Sequence, residues 1–130
     1  MRFSLDQALG IHPQALQLRS KRAEVLASNL ANADTPNYKA KDFDFKQVMA
    51  QNQGLALPMK KTQASHIGAD ANSFAPELKY RIPLQDSLDG NSVDSHVEHA
   101  AFAENSVQYQ ASLQFLGARM KGLIKALRGE

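Results

Sequence analysis

The chain contains no cysteine and no tryptophan, and only 7% of its 130 residues are aromatic. The lack of cysteine excludes disulfide scaffolds, thiolate zinc sites and cysteine nucleophiles. Much of the 43% hydrophobic content is therefore Ala, Leu and Val. This composition favours slim helices over a thick globular core, in a chain of the length of one small domain.

Neither sign of charge dominates the sequence. Fifteen basic and thirteen acidic residues leave a net charge of +2, which is too balanced for a protein whose main task is to bind nucleic acid phosphates. No apolar run approaches the roughly 20 residues that span a bilayer, and the first ten residues lack the apolar core of a secretory signal. We therefore expect no nucleic-acid partner, no membrane-spanning segment and no cleaved signal peptide.

Apolar residues recur at helical spacing from about Leu5 to Ala33. Pro13 fits the first turn of the main helix, after a short turn near Leu5 to Leu9, because proline in a helix interior costs roughly 3 kcal/mol. The segment Asp34-Thr35-Pro36-Asn37-Tyr38 is expected to end the helix. The main apolar row is Leu9, Leu16, Ala23, Leu26, Leu30 and Ala33. A second row, which a pair of helices would leave exposed, is Ile11, Ala15, Leu18 and Val25.

The middle of the chain shows no sustained period. Phe43 to Met49 could form one helical turn or a short strand, whereas Leu78 to Ile82 alternates as a strand does. Pro83 confines that strand to an edge or an end. Gln51 to Ser73 is predicted to be a mobile excursion, and Asp89-Gly90-Asn91 is a strong turn signal.

The most regular pattern lies in Val93 to Arg128, which is predicted to be one helix roughly 50 Å long. Ser95 with Glu98 suggests a capping box, Asp94 adds favourable charge at the helix start, and Gly129 suits a left-handed cap. Spacings of four and three define an apolar heptad row. This heptad row is Phe102, Ser106, Tyr109, Leu113, Leu116, Met120, Leu123 and Leu127.

These patterns predict a mainly α chain in which two long terminal amphipathic helices form an antiparallel coiled-coil hairpin. The predicted parts are an N-terminal helical segment over 1–38, a loop-rich middle segment with short β elements over 39–92, and a C-terminal heptad helix over 93–130. Two helices bury only one face each, so we expect the remaining apolar surface to contact other subunits.

Histidines and basic residues allow other interpretations. His96 and His99 have a spacing that can bind a metal, but ordinary exposed histidines explain them better. Arg119, Lys121, Lys125 and Arg128 could mark a membrane-surface helix, although a solvated face opposite the heptad row is the simpler account. Neither a nucleophile elbow nor a glycine-rich phosphate loop is present. We therefore predict no enzyme activity, no catalytic residue, no metal, no cofactor and no small-molecule substrate.

Asn29 and Asn32 lie three residues apart near the end of the first helix. They are either simple helix-end residues or polar contacts that fix register with a neighbouring subunit. Tyr38 and Tyr109 are interpreted as packing residues whose hydroxyls need partners.

The segment Ala27 to Tyr38 resembles the helix-end pattern A-N-x-x-N-x-x-T-P-G-Y of flagellar rod and hook proteins, with Asn37 in the place of the usual glycine. Three later segments, 78–83, 87–94 and 103–110, resemble the proximal rod members of that family, although Asp86 stands where proline is common. The short length agrees with those members. The matching segments cover the end of the N-terminal helix and nearly all of the C-terminal third.

The resemblance implies a structural subunit of the rod, the drive shaft that joins the MS ring to the distal rod and hook and that motility requires. It implies passage through the flagellar type III export gate without signal cleavage, and assembly in the periplasm, close to the membrane but not embedded in it. Expected neighbours are other copies, other rod proteins, the MS-ring protein FliF and the adaptor FliE.

Candidate interface residues follow from the apolar rows and the matching helix end. They are Leu16, Leu26, Asn29, Leu30, Asn32, Thr35, Pro36, Tyr38, Phe102, Tyr109, Leu113, Leu116, Met120, Leu123 and Leu127. Two other functions compete with the rod subunit. One is a helical export chaperone or adaptor of a type III secretion system, and the other is a peripheral membrane-binding module.

Overall fold

A computed structural model of the chain describes residues 8–54, 76–85 and 87–129, without the side chains of 52–54. The described chain is mainly helical, as predicted, with a two-stranded sheet. In chain order its elements are α1 (His12–Ala31), β1 (Lys41–Asp42), α2 (Phe45–Gly54), β2 (Lys79–Tyr80) and α3 (Ser95–Arg128). No helix in these ranges is both long and apolar enough to cross a bilayer.

Helix α1 begins as the sequence predicts. Pro13 lies in its first turn, where a missing N–H costs nothing because that group has no intrahelical acceptor. Ala8 and Leu9 form a helical turn that Gly10, with a φ of 64°, separates from α1. The predicted turn from Leu5 lies in part outside the described residues. At the other end, α1 stops before the segment that was expected to end it, and Asn37 within that segment adopts a left-handed φ of 61°.

Helix α2 covers the second apolar row of α1. Phe43, Val48 and Met49 are buried against Ala15 and Leu18, with Val25 and Phe45 partly buried at the edge of this core cluster. The prediction that the second row stays exposed was therefore wrong for Ala15, Leu18 and Val25, because the middle segment supplies apolar side chains of its own, whereas Ile11 is 46% exposed. The segment from Phe43 to Met49 contributes a helix rather than a strand.

A two-stranded antiparallel sheet pairs Lys41 with Tyr80 and Asp42 with Lys79. The predicted strand at Leu78 to Ile82 is confirmed, although only two of its residues are in the ladder. Helix α2 continues to Gly54, so the start of the predicted excursion from Gln51 is helical. The remainder of that excursion, with His66, lies outside the described residues.

Helices α1 and α3 pack against each other through polar side chains of α3. Glu98, Asn105 and Ser112, spaced seven residues apart, are its buried residues. They contact progressively earlier residues of α1, since Glu98 meets Asn29 while Ser112 meets Arg19, so the two helices run in opposite directions. The face of α3 that packs against α1 is thus different from the heptad row. Coiled-coil packing of the two helices stays a prediction.

The two ends of α3 are capped in different ways. The Asp94 side chain accepts hydrogen bonds from the N–H groups of His96 (2.9 Å) and Val97 (3.3 Å). The predicted capping box of Ser95 with Glu98 was wrong, because Glu98 is buried against α1 instead of turning back to the helix start. Gly129 has a φ of 76°, which confirms the left-handed C-terminal cap.

Candidate functional site

The end of α1 is held by a side chain from the segment before α3. Asn91 Nδ2 lies 3.0 Å from Asn32 O, 2.7 Å from Ala33 O and 3.0 Å from Thr35 O. Helix ends leave backbone carbonyls without intrahelical donors, and this amide supplies the missing hydrogen bonds. Asn91 therefore joins the helix-end pattern at 27–38 to the turn at Asp89-Gly90-Asn91, two segments that the sequence analysis singled out separately.

Backbone hydrogen bonds strengthen the same junction. The N–H of Asn37 donates to Asp89 O at 2.9 Å, and that of Ser92 donates to Tyr38 O at 3.0 Å. Ser92 Oγ in turn accepts a hydrogen bond from the N–H of Ala40 at 2.8 Å. The junction therefore holds the end of α1 next to the start of α3 and fixes where the two long helices begin their contact.

Asn29 is the central polar group of the contact between α1, α3 and the sheet. Its Nδ2 donates to Lys41 O at 2.8 Å and to Glu98 Oε2 at 3.1 Å, while its Oδ1 accepts from the N–H of Lys41 at 3.1 Å. Asn29 and Glu98 are both 0% exposed. The amide of Asn29 is thus committed to contacts within the chain, which supports its interpretation as a structural helix-end residue.

A cluster of charged residues surrounds this buried pair. Arg81 Nη1 lies 2.8 Å from Glu98 Oε1, and Arg81 Nη2 lies 2.6 Å from Asp42 Oδ2. Arg22 donates two hydrogen bonds to Asp42, from Nε to Oδ1 at 3.1 Å and from Nη2 to Oδ2 at 3.0 Å. Arg81 therefore links β1 to α3, and Arg22 links α1 to β1.

These contacts change the titration of Asp42. Burial alone would raise its pKa, but hydrogen bonds from the Arg22 guanidinium and the N–H of Phe43 outweigh burial, so the pKa of Asp42 lies below its ordinary value. The hydrogen bond to Asp42 raises the pKa of Arg22 in turn. The pair is therefore ionised at neutral pH, and its chemistry is that of a structural clamp.

Arg19 connects the core cluster to α3. Its guanidinium lies 4.2 Å from the centre of the Phe45 ring, and its Nε donates to Ser112 Oγ at 3.1 Å. Its Nη1 also contacts Gln108 Oε1, and its backbone O accepts from Asn105 Nδ2 at 2.9 Å. One residue thus touches both α2 and the polar face of α3.

The heptad row of α3 remains largely in contact with solvent. Exposure is 37% for Phe102, 37% for Tyr109, 52% for Leu113, 47% for Met120 and 88% for Leu127. The other three members, Ser106, Leu116 and Leu123, are half-buried. A row of this length on one helix is an apolar surface that the described residues of this chain leave uncovered, and such surfaces mark protein contacts.

The candidate residues on α1 and its end turn fall into three groups. Leu26 and Asn29 are fully buried within the chain, so a contact with another subunit cannot use them in this conformation. Half-buried positions are Leu16, Leu30, Asn32 and Tyr38, and exposed positions are Thr35 and Pro36. Asn32 and Thr35 also bond to each other, with Thr35 Oγ1 donating to Asn32 Oδ1 at 3.2 Å.

Sequence reasoning gave several residues of this site no role of their own, and it noted three of them only within a turn or a matching segment. The three without any such context are Arg19, Arg22 and Asp42, and the other three are Arg81, Asn91 and Asn105. One available signal was the seven-residue spacing of Glu98, Asn105 and Ser112, a polar row that runs beside the heptad row. His96 and His99 are exposed, and the described residues contain no group of three or more potential metal ligands.

Comparison with known proteins places this architecture in a family. A family model described as flagella basal body rod protein matches residues 9–39, which span α1 and its end turn. The flagellar basal body rod protein FlgB of Aeromonas hydrophila is 50% identical over 137 aligned positions, which cover 100% of this chain and 99% of the relative. The chain belongs to the FlgB family of flagellar basal body rod proteins.

Other FlgB relatives agree. FlgB of Salmonella typhimurium is 47% identical, with 96% of each chain covered, and FlgB of Escherichia coli K12 is 49% identical, with 95% of each chain covered. The predicted resemblance to the rod family is confirmed, and so is the predicted function as a structural subunit of the flagellar basal body rod. The alternative of an export chaperone finds no support among the FlgB relatives.

Proposed function

We propose that this FlgB-family chain is a subunit of the proximal rod that assembles through the exposed heptad row of α3. The exposure of that row carries the proposal, because the polar face of α3 is already occupied by α1. A subunit built in this way has a fixed internal structure on one side of α3 and an apolar contact surface on another. Apolar side chains that are exposed to water in the monomer would then be buried against neighbouring subunits.

Residues of α1 and its end turn contribute a second part of the proposed interface. Leu16 and Leu30 keep part of their apolar surface accessible, and Thr35 and Pro36 project from the turn that Asn91 holds. Because that turn is tied to the start of α3, its exposed residues have a fixed position relative to the heptad row. A fixed relative position is what a repeated contact between identical subunits requires.

The proposed neighbours are other copies of this chain, other rod proteins, the MS-ring protein FliF and the adaptor FliE. The chain would reach them in the periplasm through the flagellar type III export gate, without cleavage of a signal peptide. The resemblance of the helix-end pattern and the lack of cysteine support this route, since a chain that is exported unfolded gains nothing from disulfides.

The proposal is tested by placing a charge on the heptad row. Leu113→Asp and Leu116→Asp should each abolish swimming when they replace the natural chain in motile cells, while the protein is still made and exported. An ionised carboxylate cannot be buried at an apolar contact without a partner. Leu113 is the sharper choice, because its greater exposure leaves the fold of the monomer least affected.

Val107→Asp is the matched control. Val107 is 66% exposed on the same helix but lies roughly 120° around the axis from Leu113. This variant should swim normally. Normal swimming by both Leu variants would rule out the heptad row as the assembly surface, and loss of swimming by all three would show that any added charge on α3 is harmful.

A further inference from the structure

The two strands of the small sheet have unequal outer edges. Lys41 is paired with Tyr80, and the N–H of Arg81 donates to Ala40 O at 2.9 Å. The N–H and the carbonyl oxygen of Lys41 both bond to the Asn29 side chain instead of to β2. Lys41 and Tyr80 therefore form a non-hydrogen-bonded pair, in which the backbone polar groups of each residue point away from the other strand.

Only one of these outer edges is covered by the described chain. Asn29 satisfies the edge of β1 with one donor and one acceptor, as a neighbouring strand would. At the edge of β2, the N–H and the carbonyl oxygen of Tyr80 have no hydrogen-bond partner among the described residues. Unpaired strand edges are templates for another strand. We call this side of β2, centred on Tyr80, the open edge.

Apolar side chains follow the open edge at every second position, which places them on one face of the extended segment. Leu78 is 45% exposed, Tyr80 69% and Ile82 89%. The residues between them face the rest of the chain, since Lys79 Nζ donates to Gln47 Oε1 at 2.9 Å and Arg81 contacts α3. The open edge thus combines unpaired backbone groups with an uncovered apolar face.

Space for a longer partner lies beyond Ile82. A groove of about 760 Å³ beside the start of α3 is lined by residues that include Pro83, Leu84 and Val93. A strand that follows the open edge past Ile82 would enter this groove.

Charge indicates which kind of strand fits. Lys79 is exposed, and within the described part of the chain its side chain bonds to the neutral Gln47 and to no carboxylate. A second copy fits poorly, because antiparallel pairing of two β2 strands centred on Tyr80 places Lys79 opposite Arg81 of the other copy. Like charges directly opposite each other destabilise a sheet, whereas an acidic residue opposite Lys79 is favourable.

We propose that the open edge binds an extended peptide segment of another protein by antiparallel strand addition. The segment carries apolar residues at alternate positions, which cover Leu78, Tyr80 and Ile82, and an acidic residue that lies opposite Lys79. Its residue opposite Tyr80 exchanges two backbone hydrogen bonds with Tyr80. This surface is separate from the heptad row, so swimming of the heptad-row variants tests the proposed function and peptide binding tests the strand addition.

A synthetic peptide tests the docking on the purified full-length chain. The probe is a fluorescein-labelled Ser-Val-Thr-Val-Glu-Val-Ser peptide, whose central valine can lie opposite Tyr80 while its glutamate lies opposite Lys79. Fluorescence anisotropy measures the affinity. Amide hydrogen exchange locates the contact, because the N–H of Tyr80 should exchange more slowly when the peptide is bound.

N-methylated peptides test whether the backbone carries the contact. In the antiparallel pairing the amide of the central valine points at the open edge, and the amide of the glutamate points away from it. N-methylation of the central valine should therefore weaken binding about tenfold or more, and N-methylation of the glutamate should change it less than about twofold. Equal affinities of the two methylated peptides would rule out the proposed strand pairing.

Exchange of charges tests the pairing with Lys79. Lys79→Glu should weaken binding of the glutamate peptide about fivefold, and a peptide with lysine in place of the glutamate should regain that affinity. Lys121→Glu, an exposed position in the last turns of α3, changes the net charge equally and should leave the affinity unchanged. Failure of the lysine peptide to regain affinity for Lys79→Glu would contradict the assigned register.

Three further results would overturn the proposal. Slow exchange of the Tyr80 amide in the dilute free chain would show that the chain itself closes the edge. Protection of that amide that rises with protein concentration, without peptide, would assign the edge to a second copy. Unchanged anisotropy of the glutamate peptide up to about 1 mM chain would show that the edge binds no such strand.

Discussion

Asn37 and Gly90 face each other with positive φ angles of 61° and 75°. A Cβ atom added to Gly90 would lie 2.5 Å from Asn37 Oδ1, closer than two such atoms can approach. The two left-handed turns that end α1 and precede α3 are therefore packed directly against each other. Their fit explains why glycine occupies the second turn: no other residue type combines this φ with so little space.

Replacing Gly90 by alanine should destabilise the chain by about 1–2 kcal/mol, because alanine resists the left-handed conformation and its Cβ displaces the Asn37 side chain. Urea unfolding followed by circular dichroism measures the change. Gly122→Ala is the matched control, since Gly122 lies within α3 and an added Cβ meets nothing within 4 Å. That variant should be more stable by about 0.5–1 kcal/mol, because alanine favours helix.

Removing the buried carboxylate of Glu98 should have the largest effect of any single substitution in the polar network. Glu98→Ala leaves Asn29 and Arg81 without a partner that each contacts at 3.1 Å and 2.8 Å. Loss of one member of a buried ion pair costs about 3–5 kcal/mol, and the lower end applies here because Arg81 is partly exposed and keeps Asp42 as a partner. Glu104→Ala on the exposed side of α3 should change the unfolding free energy by less than about 0.5 kcal/mol. Similar values for both variants would contradict the structural role of Glu98.

Asn91→Ala should lower the unfolding free energy by about 2 kcal/mol, because three carbonyl groups at the end of α1 lose their shared donor. Hydrogen exchange locates the effect: the amides at the end of α1 should exchange faster, with little change in the last turns of α3. Uniform acceleration along both helices would instead indicate that Asn91 stabilises the whole fold and has no local role at the helix end.

Stability should fall in acid because of Asp42. The folded-state pKa of this carboxylate lies below its ordinary value of 3.8, so its pairing with Arg22 contributes stability that is complete above that value. The contribution is lost as pH falls through the lower folded-state pKa, since the folded chain must then protonate a group that the unfolded chain has already protonated.

Asp42→Asn provides the comparison for this pH dependence. The variant should be less stable than the natural chain at pH 7, and the difference in urea midpoint should shrink as pH falls below about 4, near the ordinary pKa of aspartate. A difference that stays constant down to the lowest accessible pH would show that the ionised form of Asp42 contributes nothing.

Local signals in the sequence were sufficient to predict the long helices and their ends. Pro13, the turn at Asp34 to Tyr38 and the left-handed Gly129 act over a few neighbouring residues, so their effect can be inferred without knowing the fold. The capping of α3 was predicted less well. Both Asp94 and Ser95 are suitable N-cap residues, and the choice depended on whether Glu98 was free to turn back to the helix start.

The hydrophobic periodicity of the sequence could not predict which surfaces of the helices pack against each other. The row of Ile11, Ala15, Leu18 and Val25 is apolar whether α2 covers it or another subunit does. Only the folded chain shows Val48 and Met49 in one cluster with Ala15 and Leu18. The charged cluster could not be predicted for the same reason. Arg22 and Arg81 lie 59 positions apart in the sequence, and only the fold brings both to Asp42.

The sequence by itself determined that this chain forms two long helices, that its helix-end pattern is that of a rod protein, and that α3 carries a continuous apolar heptad row. Only the tertiary structure decided which side of α3 packs against the rest of its own chain. Glu98, Asn105 and Ser112 turn toward α1 because hydrogen-bond partners for Glu98 Oε2, Asn105 Nδ2 and Ser112 Oγ lie there, and burying a polar group without a partner is costly. The apolar row has no such requirement within the monomer, and it remains exposed beside them.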